Sequence, residues 1–295
     1  MRRQSAGFTI VELLIVIVVI AILAAVTIVA YNGIQTRARA SSVSSSLTQA
    51  AKKIAMYHID NSAYPTSLSA VGMTDTNNIS YQYRTTGTGY CLTATSGAVS
   101  YKVTEASPPN TGSCTITNLA VNPSFETNLT AWGPTWAGAT LTRVSSGGGI
   151  TSGSYGIEAT IGTANAAGFS HTIPGLAANT PYTASAYVTL MSGDPSSLMI
   201  HASDGAGTRA YTIISPVLTV NDTKRLTLTW TSSANTASTT VTIMRNGVSS
   251  GSAVVRLDAL LVDQGLSVNT YADGNSAGWS WSGSVNNSSS SGPPL

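Results

Sequence analysis

The sequence predicts two folded units in series: an α+β domain with a long N-terminal helix packed on a small antiparallel sheet, then an all-β sandwich. Three observations carry this. An apolar run extends from Phe8 to Ala30. Beyond it, apolar positions recur every three or four residues as far as His58. From about residue 60 onward, Thr, Ser, Ala, Gly and Asn dominate, and short alternating runs separated by turn residues favour strands. A chain of 295 residues is long enough for two modest domains and an anchor. Only 9% of residues are charged and the net charge is +2, with no basic run or stripe, so nucleic acid is not an expected partner.

The apolar run is long enough to cross a membrane, since about 20 helical residues span the hydrocarbon core. Arg2 and Arg3 precede it and place the N-terminus in the cytoplasm. A secretory signal peptide would be cut after its apolar run, but this run continues past Ala24-Ala25-Val26. Gly7 separates the charged leader from the run, and Glu12 lies inside it. A carboxylate in lipid costs a few kcal/mol or more and is rarely there without a partner. Near the helix start it also meets the positive end of the helix dipole.

The stretch Gly7-Phe8-Thr9-Ile10-Val11-Glu12-Leu13-Leu14 resembles the prepilin cleavage motif of type IV pilins and type II secretion pseudopilins. The resemblance implies cleavage between Gly7 and Phe8 by a prepilin peptidase and N-methylation of Phe8. It also implies pairing of Glu12 with the Phe8 amine of a neighbouring subunit, which would compensate the buried charge. The partners implied are other pilin subunits, the peptidase and an inner-membrane assembly platform. The chain would be a single-pass membrane protein before assembly and part of an extracellular filament after it.

Ile34, Val43, Leu47, Ala50, Ala51, Ile54 and His58 form the stripe of an amphipathic continuation that should pack on a sheet. Gly33 interrupts the pattern at a cost of about 1 kcal/mol relative to Ala. The helix should end near Asp60-Asn61, before Tyr64-Pro65. Tyr81–Tyr83, Tyr90–Thr93 and Tyr101–Val103 read as three strands, and Pro108-Pro109-Asn110 as the start of a short junction. Cys91 and Cys114, on the exported side, read as a disulfide worth roughly 3 kcal/mol. The alternatives are two free thiols or two zinc ligands without companions.

Pro181–Leu190 alternates, with Tyr182, Ala184, Ala186 and Val188 on one face, and Arg225–Trp230 alternates with Leu226, Leu228 and Trp230 inward. Thr239–Met244 and Val254–Leu261 are further strands. Asn122-Pro123-Ser124-Phe125-Glu126, Pro174-Gly175-Leu176 and Arg256-Leu257-Asp258-Ala259-Leu260-Leu261-Val262 occur in an order that resembles jelly-roll carbohydrate-binding modules. That resemblance implies a jelly-roll sandwich and a calcium site at Glu126 and Asp258, although Ala259 stands where a second aspartate is usual. Two acids hydrogen-bonded to backbone are the alternative. Surface glycans are the implied partner, and sugar rings stack on exposed aromatics. Trp132 and Trp230 are expected in the core. Tyr187 points away from the Tyr182 face and is a ligand candidate, and Trp136 lies in a loop that suits ligand or core.

Glu126, Glu158 and Asp258 could be imagined as a glycosidase pair, but His58, His171 and His201 are scattered and no catalytic motif is present, so no enzyme is expected. The expected divisions are a leader at 1–7, a membrane-spanning half-helix at 8–30, a globular pilin domain at 31–118, a sandwich at 119–275 and a flexible polar tail at 276–295. The function these readings imply is a type IV pilus subunit whose sandwich serves adhesion or glycan binding. The alternatives are a minor pseudopilin of a secretion or DNA-uptake machine, or a purely structural filament subunit.

Overall fold

The computed structural model describes residues 10–85, 88–145 and 147–293. Gly7 and Phe8 lie outside them. Helix α1 runs unbroken over Ile10–Asn61, ending where the sequence predicts. It passes straight through Gly33, and a Cβ there would meet nothing, so no close packing calls for the glycine. Its apolar first half is exposed along its length and is long and apolar enough to span a membrane. In the second half Val43, Leu47, Ala50 and Ile54 are fully buried, at the four-three-four spacing of one helix face. Ile34 departs from the expected stripe. It is 67% exposed because the sheet begins further along the helix.

That sheet has four antiparallel strands in the order β1-β2-β3-β4, namely Ser80–Thr85, Tyr90–Ser96, Val99–Thr104 and Ser107–Thr111. Three were expected. The fourth contains Pro108-Pro109, which proline tolerates because β4 is an edge strand with no outer partner to serve. Leu92, Ala94 and Val103 cover the helix stripe. Cys91 and Cys114 form a disulfide that ties β2 to the segment leaving the domain.

The second unit opens with β5 (Ile116–Asn118), β6 (Trp132–Pro134) and β7 (Ala139–Val144). Then come β8 (Gly156–Ile161), β9 (Gly168–Thr172), β10 (Pro181–Gly193) and β11 (Leu198–Asp204). β12 (Gly207–Ile213), β13 (Thr223–Thr231), β14 (Thr240–Arg245) and β15 (Ala253–Gln264) complete it. Two five-stranded sheets result, β13-β10-β15-β8-β7 and β12-β11-β14-β9-β6. Strands β8 to β15 pair first with last and so inward: β8 with β15, β9 with β14, β10 with β13, β11 with β12. That nesting is a jelly roll. The predicted alternation holds: Tyr182, Ala184, Ala186, Val188, Leu226, Leu228 and Trp230 all enter one core.

Two boundaries differ from expectation. Residues 116–118 already belong to the second unit, where the buried Asn118 amide donates to the Leu260 carbonyl at 2.9 Å and its oxygen accepts from the Val262 amide. The segment expected as a flexible polar tail folds back through residue 293. Its strands β16 (Ser280–Trp281) and β17 (Ser290–Gly292) extend the sheet of β5. Trp279 drives this, covering Ile116 and Ala272 while its indole donates to the Pro293 carbonyl. Gly292 is needed there, since a Cβ would fall 2.4 Å from the indole. At the joint between the units, Arg84 pairs with the buried Asp263 at 3.0 Å and donates to the Thr115 and Gln264 carbonyls, and the Leu266 amide donates to the Thr85 carbonyl.

Candidate functional site

The outward face of the sheet β12-β11-β14-β9-β6 is built by alternation. In β11, Leu198, Ile200 and Ala202 enter the core, so Met199, His201 and Ser203 face out. In β14, Val241 and Ile243 point in, leaving Thr240, Thr242 and Met244 out. The register lines up Tyr211, His201, Thr242 and Ser170 in one row across four strands. A cavity of about 260 Å³ lies on this face, lined among others by Trp136, Ser170, His201, Thr242 and Met244.

Trp136 stands at its rim, 87% exposed. It occupies the second position of a tight turn closed by the Gly138 amide donating to the Thr135 carbonyl. Thr135 anchors that turn, since its amide and hydroxyl both donate to the Gly168 carbonyl and its hydroxyl also reaches the Ala166 carbonyl. The indole is therefore held on a fixed backbone. Among the described residues, no charged side chain lines the cavity. His201 shares a hydrogen bond with the Thr208 hydroxyl at 3.1 Å through Nε2, its Nδ1 has no partner, and burial lowers its pKa, favouring the neutral ring. Ser203 and Thr240 hydroxyls bond each other at 3.0 Å. An exposed indole beside uncharged hydroxyl and imidazole groups suits a neutral polyhydroxylated ligand: an apolar ring face to stack and polar atoms to fix orientation. Two larger grooves of about 500 Å³ flank α1, but neither presents an exposed aromatic ring.

The structure separates the two aromatic candidates. Tyr187 lies on β10, in the other sheet, half-buried with the Arg225 guanidinium 5.9 Å from its ring centre. Trp230 is core, and Trp132 is half-buried against Phe125 and Phe169. Thr242 and Tyr211 were not singled out from the sequence, and His201 was named only as one of three scattered histidines. Their signal was the polar half of the alternation in β11 and β14, which reads as ordinary solvent-facing residues until the sheets are assembled.

Glu126 and Asp258 grip one loop. Glu126 Oε1 accepts from the Ser154 and Tyr155 amides at 2.9 and 3.0 Å. Asp258 Oδ2 accepts from the Thr151 and Ser152 amides at 2.6 and 2.7 Å and from the Thr151 hydroxyl. Burial pushes Asp258 up to about 6 despite these donors. The donor set does not fit calcium. Backbone N–H groups and one hydroxyl face these carboxylates, whereas Ca²⁺ wants six to eight oxygens. Among the described residues no three His, Cys, Asp or Glu side chains converge. Glu158 pairs with Arg256 at 2.9 Å, in a different bond set from Glu126 and Asp258. Glu12 stands in the first turn of α1.

Comparison with known proteins divides the chain in the same way. Residues 2–28 match a family described as the prokaryotic N-terminal methylation motif, and residues 117–248 one described as a carbohydrate binding domain. The N-terminal region is 45% identical over 69 residues to the type IV wide pilus major component PilA4 of Thermus thermophilus, covering 23% of this chain and 53% of that one. It is 40% identical over 68 residues to the type II secretion system core protein G of Klebsiella michiganensis, covering 23% and 48%. The chain thus spans about half the length of the curated relatives it matches. The CBM22-1 xylan-binding domain of Paenibacillus barcinonensis Xyn10C aligns at 18% identity with a TM-score of 0.37, over 53% of this chain and 99% of that one. The chain thus carries a short N-terminal region similar to the methylation motif and a longer C-terminal region similar to carbohydrate binding domains.

Proposed function

We propose that this chain is a pilin-type filament subunit that presents a glycan-binding domain at the cell surface. A prepilin peptidase removes residues 1–7, Phe8 is methylated, and the assembly platform in the inner membrane packs the exposed apolar half of α1 against other subunits. Glu12 neutralises the Phe8 amine of a neighbour. The role is binding, not catalysis.

The observation that carries the adhesive part is Trp136, an almost fully exposed indole on an anchored turn beside an uncharged, hydroxyl-lined cavity. Its neutrality favours uncharged saccharides over acidic ones. The test is a glycan array probed with the full chain in detergent, beside Trp136→Ala. Binding to neutral glycans that weakens about tenfold or more in the variant, near 1.4 kcal/mol, supports the reading. Equal binding by both proteins, or none by either, counts against it.

A second reading has its own support, because type II secretion core proteins share the N-terminal similarity. In that case the chain is a minor subunit of a secretion pseudopilus. Its absence from sheared surface filaments, with loss of protein export on deletion, would favour that reading.

A further inference from the structure

The corner of the sandwich where Glu126 and Asp258 hold their loop contains a cation of its own. Arg143, on β7, donates Nε–H to the Phe125 carbonyl and Nη2–H to the Glu126 carbonyl. Its guanidinium carbon lies 3.3 Å from the centre of the Tyr155 ring. Tyr155 in turn gives its amide to the Glu126 carboxylate. The contacts form a closed circuit: Glu126 carboxylate to Tyr155 backbone, Tyr155 ring to Arg143, Arg143 back to the Glu126 carbonyl.

We propose that the Arg143 guanidinium is the resident cation of this corner, standing where a sandwich of this type could otherwise use a metal ion, so that the domain folds independently of calcium. The chemistry fits the fork. The Phe125 and Glu126 carbonyls are hard oxygens that a calcium ion would need, and both are already engaged by N–H donors of one planar group. The flat face of the same group stacks on an aromatic ring. The local backbone shows what is being held. Phe125 is fully buried with φ of +60°, a left-handed conformation that a bulky residue adopts only when its surroundings enforce it. Gly153 completes the fit, because a Cβ there would fall 2.3 Å from Glu126 Oε1.

The test is thermal unfolding of the full chain in detergent micelles, followed at the sandwich transition with Ca²⁺ or with EDTA. The wild-type midpoint should differ by less than about 1 °C between the two conditions. Arg143→Gln should lower it by roughly 5 °C or more in both. Arg143→Lys keeps a point charge without the fork and should melt between them, which keeps the test open if the glutamine variant does not fold. A wild-type midpoint that rises several degrees with Ca²⁺ would overturn the proposal, and so would either variant melting like the wild type. The readout is stability, so failure here leaves the glycan reading untouched.

Discussion

The first half of α1 and the jelly roll treat apolar surface in opposite ways. From Ile10 to Ile34 large aliphatic side chains stand exposed along the helix, most of them by half or more. In the jelly roll the equivalent residues point between two sheets, and Ile157, Phe169, Leu198 and Ile200 are essentially inaccessible. A surface like the first is unstable in water and calls for lipid or another helix. The second is satisfied within one chain. On the proposed function, assembly and ligand presentation are divided between a region that needs partners and a region that does not. The four-stranded head lies between these cases. Its core is small, so it borrows stability from the helix stripe and from the Cys91–Cys114 bridge.

The sharpest way to break this comparison is at Glu12. Glu12→Ala should leave cleavage after Gly7 intact and largely abolish incorporation into filaments, while the melting of the sandwich stays unchanged. Normal filament yield, measured by shearing and gel analysis, would remove the proposed pairing. Next in size is the sandwich core. Phe169→Ala should cost about 3–5 kcal/mol in denaturant unfolding and leave prepilin processing untouched. A parallel loss of processing would mean the regions are not independent.

Removal of the disulfide by Cys91→Ser with Cys114→Ser should cost roughly 3 kcal/mol, confined to the transition of the small head. A larger effect on the sandwich would show that the Arg84–Asp263 joint couples the two. The smallest effect concerns pH. Burial raises Asp258 to about 6, above its unfolded value, so the folded form holds this proton more tightly. Its contribution is therefore complete below about pH 4 and is lost as pH rises through 6. Wild-type stability should fall from pH 4 to 7 relative to Asp258→Asn, by about 2–3 kcal/mol at most. Parallel pH profiles for the two proteins would show that the donors on Asp258, the Ala259 amide included, outweigh its burial.

Particular elements show how much was legible in advance. The end of α1, the buried face of β10 and the inward Leu226, Leu228 and Trp230 follow from periodicity, which is local and survives in a linear string. The edge strand at Pro108-Pro109 was missed, because proline reads as a strand breaker unless its neighbour is known to be solvent. The folded C-terminal segment was missed for a related reason. Ser, Gly and Asn look unstructured, and the packing of Trp279 against Ile116 and the pairing of β17 with β5, both far away in sequence, hold them in place.

By itself the sequence determined a long apolar-headed helix followed by strands. A glycine, a phenylalanine and a glutamate at the head of an apolar run carry the resemblance to prepilins, and that resemblance needs no tertiary context. Alternation and the order of turn motifs likewise determined a sandwich. Only the tertiary structure decided which residues line the cavity and which hold a loop. It placed Trp136 on a turn at the rim of one sheet and Tyr187 on the other sheet, gathered His201, Thr242 and Ser170 from three strands, and turned Glu126 and Asp258 toward amide hydrogens. The reason is strand pairing: side-chain direction is set along one strand, but neighbours across a sheet are set by register between segments tens of residues apart.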